Sequence, residues 1–439
     1  MASIAALPNS YAFETKTLPN GLTVATVAMP HLHSASINLF ARVGSRHETP
    51  EKNGLSHFLE HMFFRGCEGF EDSTALNRAM EDLGGTLDGF TMRDSTSYLA
   101  TVHPDYIRDA SRIFGAMFRN PTFKDIDIER SIVLEEMLDV IDDRGRVVDL
   151  DIIAHKEAFA GNPLSQSIDG TRKNVKSFRV DDLVDHRKRF YGAKNLVLCY
   201  AGAIDAGACF ETAEAELGEL SPGRRAKELA PPLPKHTPHF SYIHTEDSQS
   251  RLRLTFRAVA SLHADYPALL LLRRIVDGGL SARLQVELVE KRGIAYDVGA
   301  EVEAYADCGI FDFEFAVAHK KLPYALEELT KVISSLRNGE ITTEEVDRVR
   351  RRARISVELS LDSPFELSQW FGATQLFQAP KSPEDRLNEF EAVTANDITE
   401  VAKKYFSASR LTIAGVGGAD AVSVRLAKKS VGKLLESLA

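Results

Sequence analysis

An α+β fold of two structurally related domains, each an antiparallel-rich sheet packed with helices, is what the sequence predicts, and three observations predict it. The chain repeats itself once. Within each repeat, strands and helical runs mix without regular βα alternation. A proline-rich stretch separates the two copies.

The repeat is plainest where Ala395 to Asp420 is laid on Val180 to Asp205 without a gap. Asp397 falls on Asp182, Tyr405 on Phe190, Phe406 on Tyr191, Leu411 on Leu196, Gly417 on Gly202 and Asp420 on Asp205. Both segments read as an N-capped amphipathic helix, a short turn and an apolar strand ending in glycine. At a similar offset, Ile37 to Val43 matches Arg253 to Val259 as a strand. Between the copies lie Pro222, Pro231, Pro232, Pro234 and Pro238, a stiff composition poor in core residues. The expected division is therefore 1–220, a linker at 221–239, and 240–439.

In the first copy, Leu22 to Ala28 and Ser36 to Val43 read as strands, and a helix begins at about Asn53. Thr86 to His103 reads as a strand hairpin turning near Arg93-Asp94. Helices are predicted over Asp125 to Asp142 and Asp181 to Tyr191.

Composition narrows the function. With 439 residues, 44% apolar and 26% charged, the chain is globular rather than disordered or collagenous. A formal charge of −10 argues against nucleic acid, whose binders carry basic patches. No apolar run approaches the ~18 residues of a membrane span, so no membrane partner is expected. Cys67, Cys199, Cys209 and Cys308 form no Cys-x-x-Cys pair and read as buried, reduced thiols. Met1 to Tyr11 shows neither a signal nor a transit pattern, so a cytoplasmic location is expected.

The chemistry concentrates in Gly54 to Met62. Leu55, Phe58, Leu59, Met62 and Phe63 recur at helical spacing and make one packed face. His57 and His61, four apart, project from one side and can hold one metal ion, with Glu60 beside them. H-x-x-E-H is the inverted metalloprotease motif; the alternative is a helix with two solvated histidines that bind nothing. A third ligand is sought on the helix Asp125 to Asp142. There Glu129 and Glu136 share a face with Ile132, Val133 and Val140. Buried carboxylates must be neutralised, paired or bound to a cation. Glu136 on zinc, with Glu129 one heptad earlier as its supporting partner, would satisfy both; Arg or Lys partners are the alternative. Two histidines, one carboxylate and an open position describe a catalytic zinc site. Bound zinc lowers the pKa of its water, and Glu60 would carry the proton to the leaving amine.

The chain resembles the insulinase/pitrilysin family of inverted zincins, and is similar in particular to its short branch of processing-peptidase subunits and small bacterial peptidases. The likeness runs through Leu18 to Val24, Gly44 to Glu48, His57 to His61, Gly84 to Thr86, Asp94 to Tyr98 and Glu129 to Glu136. The one-heptad step from Glu129 to Glu136, and the distance along the chain from His61 to Glu136, fit that family's ligand pattern. The resemblance implies His57, His61 and Glu136 as zinc ligands, Glu60 as catalytic base and a processing-peptidase-like fold. It also implies pairing of two chains into a chamber that holds unfolded peptides. In the second copy, Arg273, Val276 and Asp277 stand where the first has His57, Glu60 and His61, so the second half is expected to be an inactive wall.

Two departures from the family stand out. The resemblance implies an Arg seven residues before Tyr296 that helps bind the substrate carbonyl, but that position is Val289. Three readings follow: a different partner chain supplies the Arg/Tyr pair in a heterodimer; Arg292 or Arg283 substitutes in a homodimer; or the enzyme is slow. Tyr296 could also be a packed strand aromatic. The second departure is Asp88-Gly89, where the family often has Asn-Ala. The strand there resembles the edge that takes an extended peptide; Asp88 would either favour basic residues in it or simply face solvent as a hairpin residue. His236, His239 and His244 read as solvated. The competing function is a non-catalytic structural or partner-binding subunit of the same fold.

Overall fold

The structure, a computed structural model, describes residues 11–232, 239–377 and 381–438. It divides into two compact units, each built from three stretches of chain.

The first unit holds residues 11–139, Gln166–Glu228 and Ile355–Glu384. Its six strands are β1 (Ala12–Thr17), β2 (Thr23–Ala28), β3 (Ala35–Ala41), β4 (Asp88–Thr91), β5 (Thr96–Val102) and β6 (Leu196–Gly202). They lie in the order β1-β2-β6-β3-β5-β4, antiparallel except for the parallel pair β2 and β6. β4 is therefore a free edge. Ile37, Leu39 and Ala41 point into one core with Phe58, Phe63 and Tyr98. The helix Pro364–Leu376 packs on β2, β3 and β6. It crosses β3 so closely that a Cβ on Gly372 would stand 2.0 Å from the Phe40 ring, which only glycine allows.

The second unit holds Val140–Ser165, Leu229–Arg354 and Asp385–Ala439. Its strands are β7 (His239–His244), β8 (Ser250–Ala258), β9 (Ala295–Ala304), β10 (Gly309–Val317) and β11 (Leu411–Gly417), in the order β7-β11-β8-β10-β9. Only β7 and β11 run parallel. The helix Leu150–Ala158 covers this sheet, with Leu150, Ile153 and Ala154 against Ala414 and Val416.

The repeat is thus real in three dimensions, and strand pairing fixes its register. Leu39 pairs with Leu198 and Tyr98, and its counterpart Leu254 pairs with Ile413 and Phe313. The match of Ile37 to Arg253 is corrected by one position to Leu252. A slip of one exchanges the two faces of a strand, and Leu252, Leu254 and Phe256 are the residues in the core. The units also differ from contiguous halves. The helix after Asp149 joins the second sheet and the helix after Ser363 joins the first, so each copy sends one helix to the other's unit.

Residues 221–228 of the expected linker dock on the first unit. Ser221 and Pro222 carbonyls accept from Ala193 and Lys194 N–H, and the Asn195 side chain accepts from Ala226 N–H. Glu228 takes both ends of the Arg42 guanidinium, at 2.5 and 2.7 Å. Pro234, Pro238 and His236 lie outside the described residues. All four cysteines are buried and free. Among the described residues no helix is long and apolar enough to cross a membrane.

Candidate metal centre

The helix Leu55–Phe63 carries the H-x-x-E-H residues and is buried on nearly every side, with only His61 at its rim. Such a helix needs its N-terminal N–H groups satisfied from within the protein. Glu48 does this. Its carboxylate accepts from Gly54 N–H at 2.8 Å, Ser56 N–H at 2.5 Å and Asn53 Nδ2 at 3.0 Å. Burial pushes the Glu48 carboxyl up to about 7 against the pull of those bonds. Sequence reasoning reads Glu48 only as part of a resemblance. The signal available is an acidic residue a few positions ahead of a helix that opens on glycine.

The two imidazoles converge. His57 Nε2 lies 3.1 Å from His61 Nε2, and the Glu136 carboxylate oxygens stand 3.8 and 3.6 Å from them. A tetrahedral ion with bonds of about 2.0–2.1 Å separates its ligand atoms by roughly 3.3 Å. The spacing of the three groups therefore fits one zinc ion. His61 Nδ1 meets Glu129 Oε1 at 2.8 Å, and Arg65 holds the other Glu129 oxygen at 3.1 Å. Burial and the neighbouring His61 drive the His57 pKa down to about 3, which keeps its imidazole neutral. Burial works against protonation of His61 too, but the bond to Glu129 and the nearby carboxylates hold its pKa above the usual value.

One expectation is corrected here. Glu129 and Val133 are buried, but Ile132 is exposed and the Glu136 side chain is 48% exposed. The helix runs Ile126–Glu136 and stops there, short of Asp142, so Glu136 sits on a terminal residue at a rim. Burial among apolar neighbours accounts for Glu129 but not for Glu136.

Glu60 lies beneath β4. Its Oε2 accepts from Thr91 Oγ1 at 2.9 Å, and a Cβ on Gly89 would stand 2.7 Å from its Oε1. Burial raises the Glu60 pKa to about 7, with Glu136 and Asp88 adding to the effect. Gly89 and Thr91 thus face Glu60, whereas the alternate residues Asp88 and Phe90 are exposed. The Asp88 side chain accepts from Gly89 N–H at 2.8 Å.

Tyr296 belongs to the other unit. It lies on β9 and is 90% exposed, so it is not a packed strand aromatic. The two arginines considered as replacements at Val289 are both engaged. Arg283 makes a forked bond to Glu345, and Arg292 pairs with Glu287 and with buried Glu328. Arg273 and Asp277, at the motif positions of the second copy, bind the carbonyl and N–H of Ala300 on β9 at 2.8 and 2.9 Å. By strand register Ala300 is the counterpart of Gly89. In the second copy these two side chains bond the edge strand at Ala300, whereas the Gly89 N–H of the first is bonded by its neighbour Asp88.

A second cluster, Asp151, His155 and Glu303, leaves no mark in the sequence pattern. His155 Nδ1 faces Asp151 and Nε2 faces Glu303. Those nitrogens lie on opposite sides of the ring, so the two contacts hold the imidazole between two carboxylates. His239 and His244 are exposed.

Known proteins are similar to this chain over most of its length. Residues 23–172 match the insulinase family (peptidase family M16), and residues 177–353 match the peptidase M16 inactive domain. An uncharacterized zinc protease of Rickettsia felis is 30% identical over 402 residues, which cover 90% of this chain and 95% of the relative. The mitochondrial-processing peptidase subunit beta of Lentinula edodes is 27% identical, over 93% of this chain and 90% of its own. A solved protease from Helicobacter pylori superposes with a TM-score of 0.86 at 21% identity, covering 93% of this chain and 99% of that one.

Proposed function

Because the chain belongs to peptidase family M16, the insulinase family, we propose that it is a zinc-dependent endopeptidase that hydrolyses extended or unfolded peptides. We infer further that it is the catalytic subunit of a heterodimer. The observation that carries the first reading is the convergence of His57 Nε2, His61 Nε2 and the Glu136 carboxylate beside Glu60.

His57, His61 and Glu136 would hold the zinc ion, which when bound supplies a Lewis acid for the scissile carbonyl and an acidified water. Glu60, beside that site, would act as the general base, taking a proton from the attacking water and passing it to the departing amine nitrogen. Thr91 keeps the Glu60 carboxylate turned toward β4. The free edge of β4 pairs with an extended peptide backbone, which places a peptide bond beside Glu60 without regard to side-chain sequence. Asp88 and Phe90, exposed on that strand, offer the peptide one charged and one apolar neighbour.

The heterodimer reading rests on Val289, Arg283 and Arg292. Valine donates nothing, and both nearby arginines are committed to carboxylates within their own unit. A partner of the same family would then supply the Arg/Tyr pair, with Tyr296 left exposed on this chain. Similarity to beta subunits of mitochondrial-processing peptidases supports this.

The test is cleavage of a quenched-fluorescent peptide library by the zinc-loaded chain, alone and with its co-purifying partner, against Glu60→Gln. Activity that needs the partner and drops by about 10²–10⁴-fold in Glu60→Gln is expected. Full activity of the chain alone would remove the partner from the proposal. Failure to bind zinc would leave a non-catalytic subunit.

A further inference from the structure

The two histidines of the centre are unequally supported. His61 Nδ1 is bonded to Glu129, but His57 Nδ1 is buried and has no hydrogen-bond partner. His57 as a whole is 7% exposed. A buried polar nitrogen without a partner is uncommon and calls for an explanation. A carboxylate oxygen, Asp169 Oδ1, lies 3.6 Å from it. That is about 0.4 Å beyond the usual N–H···O range.

The chain goes to some length to bring Asp169 there. Gly54 and Gly170 both have positive φ, at +97° and +75°. A Cβ on Gly54 would stand 2.5 Å from the Asp169 carbonyl oxygen, and one on Gly170 would stand 2.2 Å from that of Asn53. Asn53 Nδ2 donates to Ser167 O, and Gln166 Nε2 donates to the Ser45 and Glu48 carbonyls. The segment 166–170 is pinned against the start of the motif helix, and Asp169 is its residue facing His57.

We propose that Asp169 is a positioning residue for His57, accepting a hydrogen bond from Nδ1–H when Nε2 is engaged by metal. The inference rests on the zinc reading above. A histidine that ligates metal through one nitrogen almost always donates the other N–H to a carboxylate, carbonyl or water, which fixes the tautomer and the ring plane. Glu129 serves His61 in this way, and Asp169 serves His57. The closure needed is a few tenths of an ångström, within the reach of one side-chain rotation.

The experiment is competition for zinc between the full chain and a chromophoric chelator, with the melting of the metal-free chain measured in parallel. Asp169→Ala is expected to weaken zinc binding by about 10–100-fold, with metal-free melting unchanged. Asp169→Asn, which keeps an acceptor oxygen, should lose only several-fold. A residue with a merely structural role would lower the metal-free melting instead. If Asp169→Ala itself melts early, Asp169→Asn decides: weaker zinc binding at unchanged melting supports the assignment. Wild-type zinc affinity in both variants, beside a wild type that holds zinc, would overturn this inference alone. A wild type that holds no zinc would overturn the metal-centre reading and this inference with it.

Discussion

Thr91 Oγ1 lies 2.9 Å from Glu60 Oε2, which ties the edge strand β4 to the carboxylate on the motif helix. A hydroxyl bonded to a carboxylate is worth about 1.5–3 kcal/mol where both are sheltered. Thr91→Val keeps the shape and removes the donor. kcat should fall about tenfold, equivalent to ~1.4 kcal/mol of barrier, while Thr91→Ser restores most of it. Steady-state kinetics on one peptide checks this; equal kcat in all three would detach Thr91 from the chemistry.

Gly89 faces the other Glu60 oxygen. A Cβ there would stand 2.7 Å from Oε1 and 3.1 Å from the Phe64 ring. In Gly89→Ala the carboxylate end can swing aside, so a several-fold loss of kcat is expected. Gly89→Val leaves it less room and should lose more than tenfold. Neither should change zinc affinity, since Glu60 is not among the converging ligand groups. A chelator titration showing weakened zinc in Gly89→Val would contradict the division of labour between Glu60 and the ligands.

Glu48 caps the motif helix with three accepted hydrogen bonds. Glu48→Ala leaves those donors buried without partners, at a cost of about 1–3 kcal/mol. The melting temperature should drop, and because the helix start frames His57, zinc affinity should drop with it. Thermal melts with and without zinc measure both; a stable variant with wild-type affinity would show that the cap is dispensable.

How far the sequence leads can be argued from these residues. His57, Glu60 and His61 are legible because one helix carries them at fixed spacing. The two-unit α+β architecture is legible because Leu196 to Gly202 and Leu411 to Gly417 repeat each other. Glu136 is reached partly by the wrong route, since its exposure is set by where the helix ends and periodicity does not report helix ends. Asp169 and Thr91 are out of reach because they meet the motif helix only through tertiary folding, from a loop and an edge strand. The exchange of Leu150–Ala158 and Pro364–Leu376 between units is hidden for the same reason. An amphipathic helix states which face it buries, not which sheet receives it.

The docked strap offers a pH test. Glu228 is 11% exposed and is held by Arg42, with His47 Nε2 at 3.6 Å from the same carboxylate. Burial alone would raise its pKa, but nearby His47 and the bonds from Arg42 outweigh it and hold the carboxyl well below the ordinary 4.5. A carboxylate whose pKa is depressed by folding stabilises the fold above its unfolded value, and that stabilisation is lost as the pH falls. The loss should therefore begin near pH 4.5 and grow toward lower pH, with nothing gained between pH 6 and 8. Glu228→Gln removes the titrating group, so it should lower the melting temperature at pH 7 and flatten the acid limb of the stability curve. The gap between wild type and variant should narrow as pH drops from 5 to 3. Melting curves over that range decide the matter. A gap that stays constant would mean that the strap docks through its backbone bonds to Asn195, Ala193 and Lys194 and that the Arg42 pair contributes no net stability.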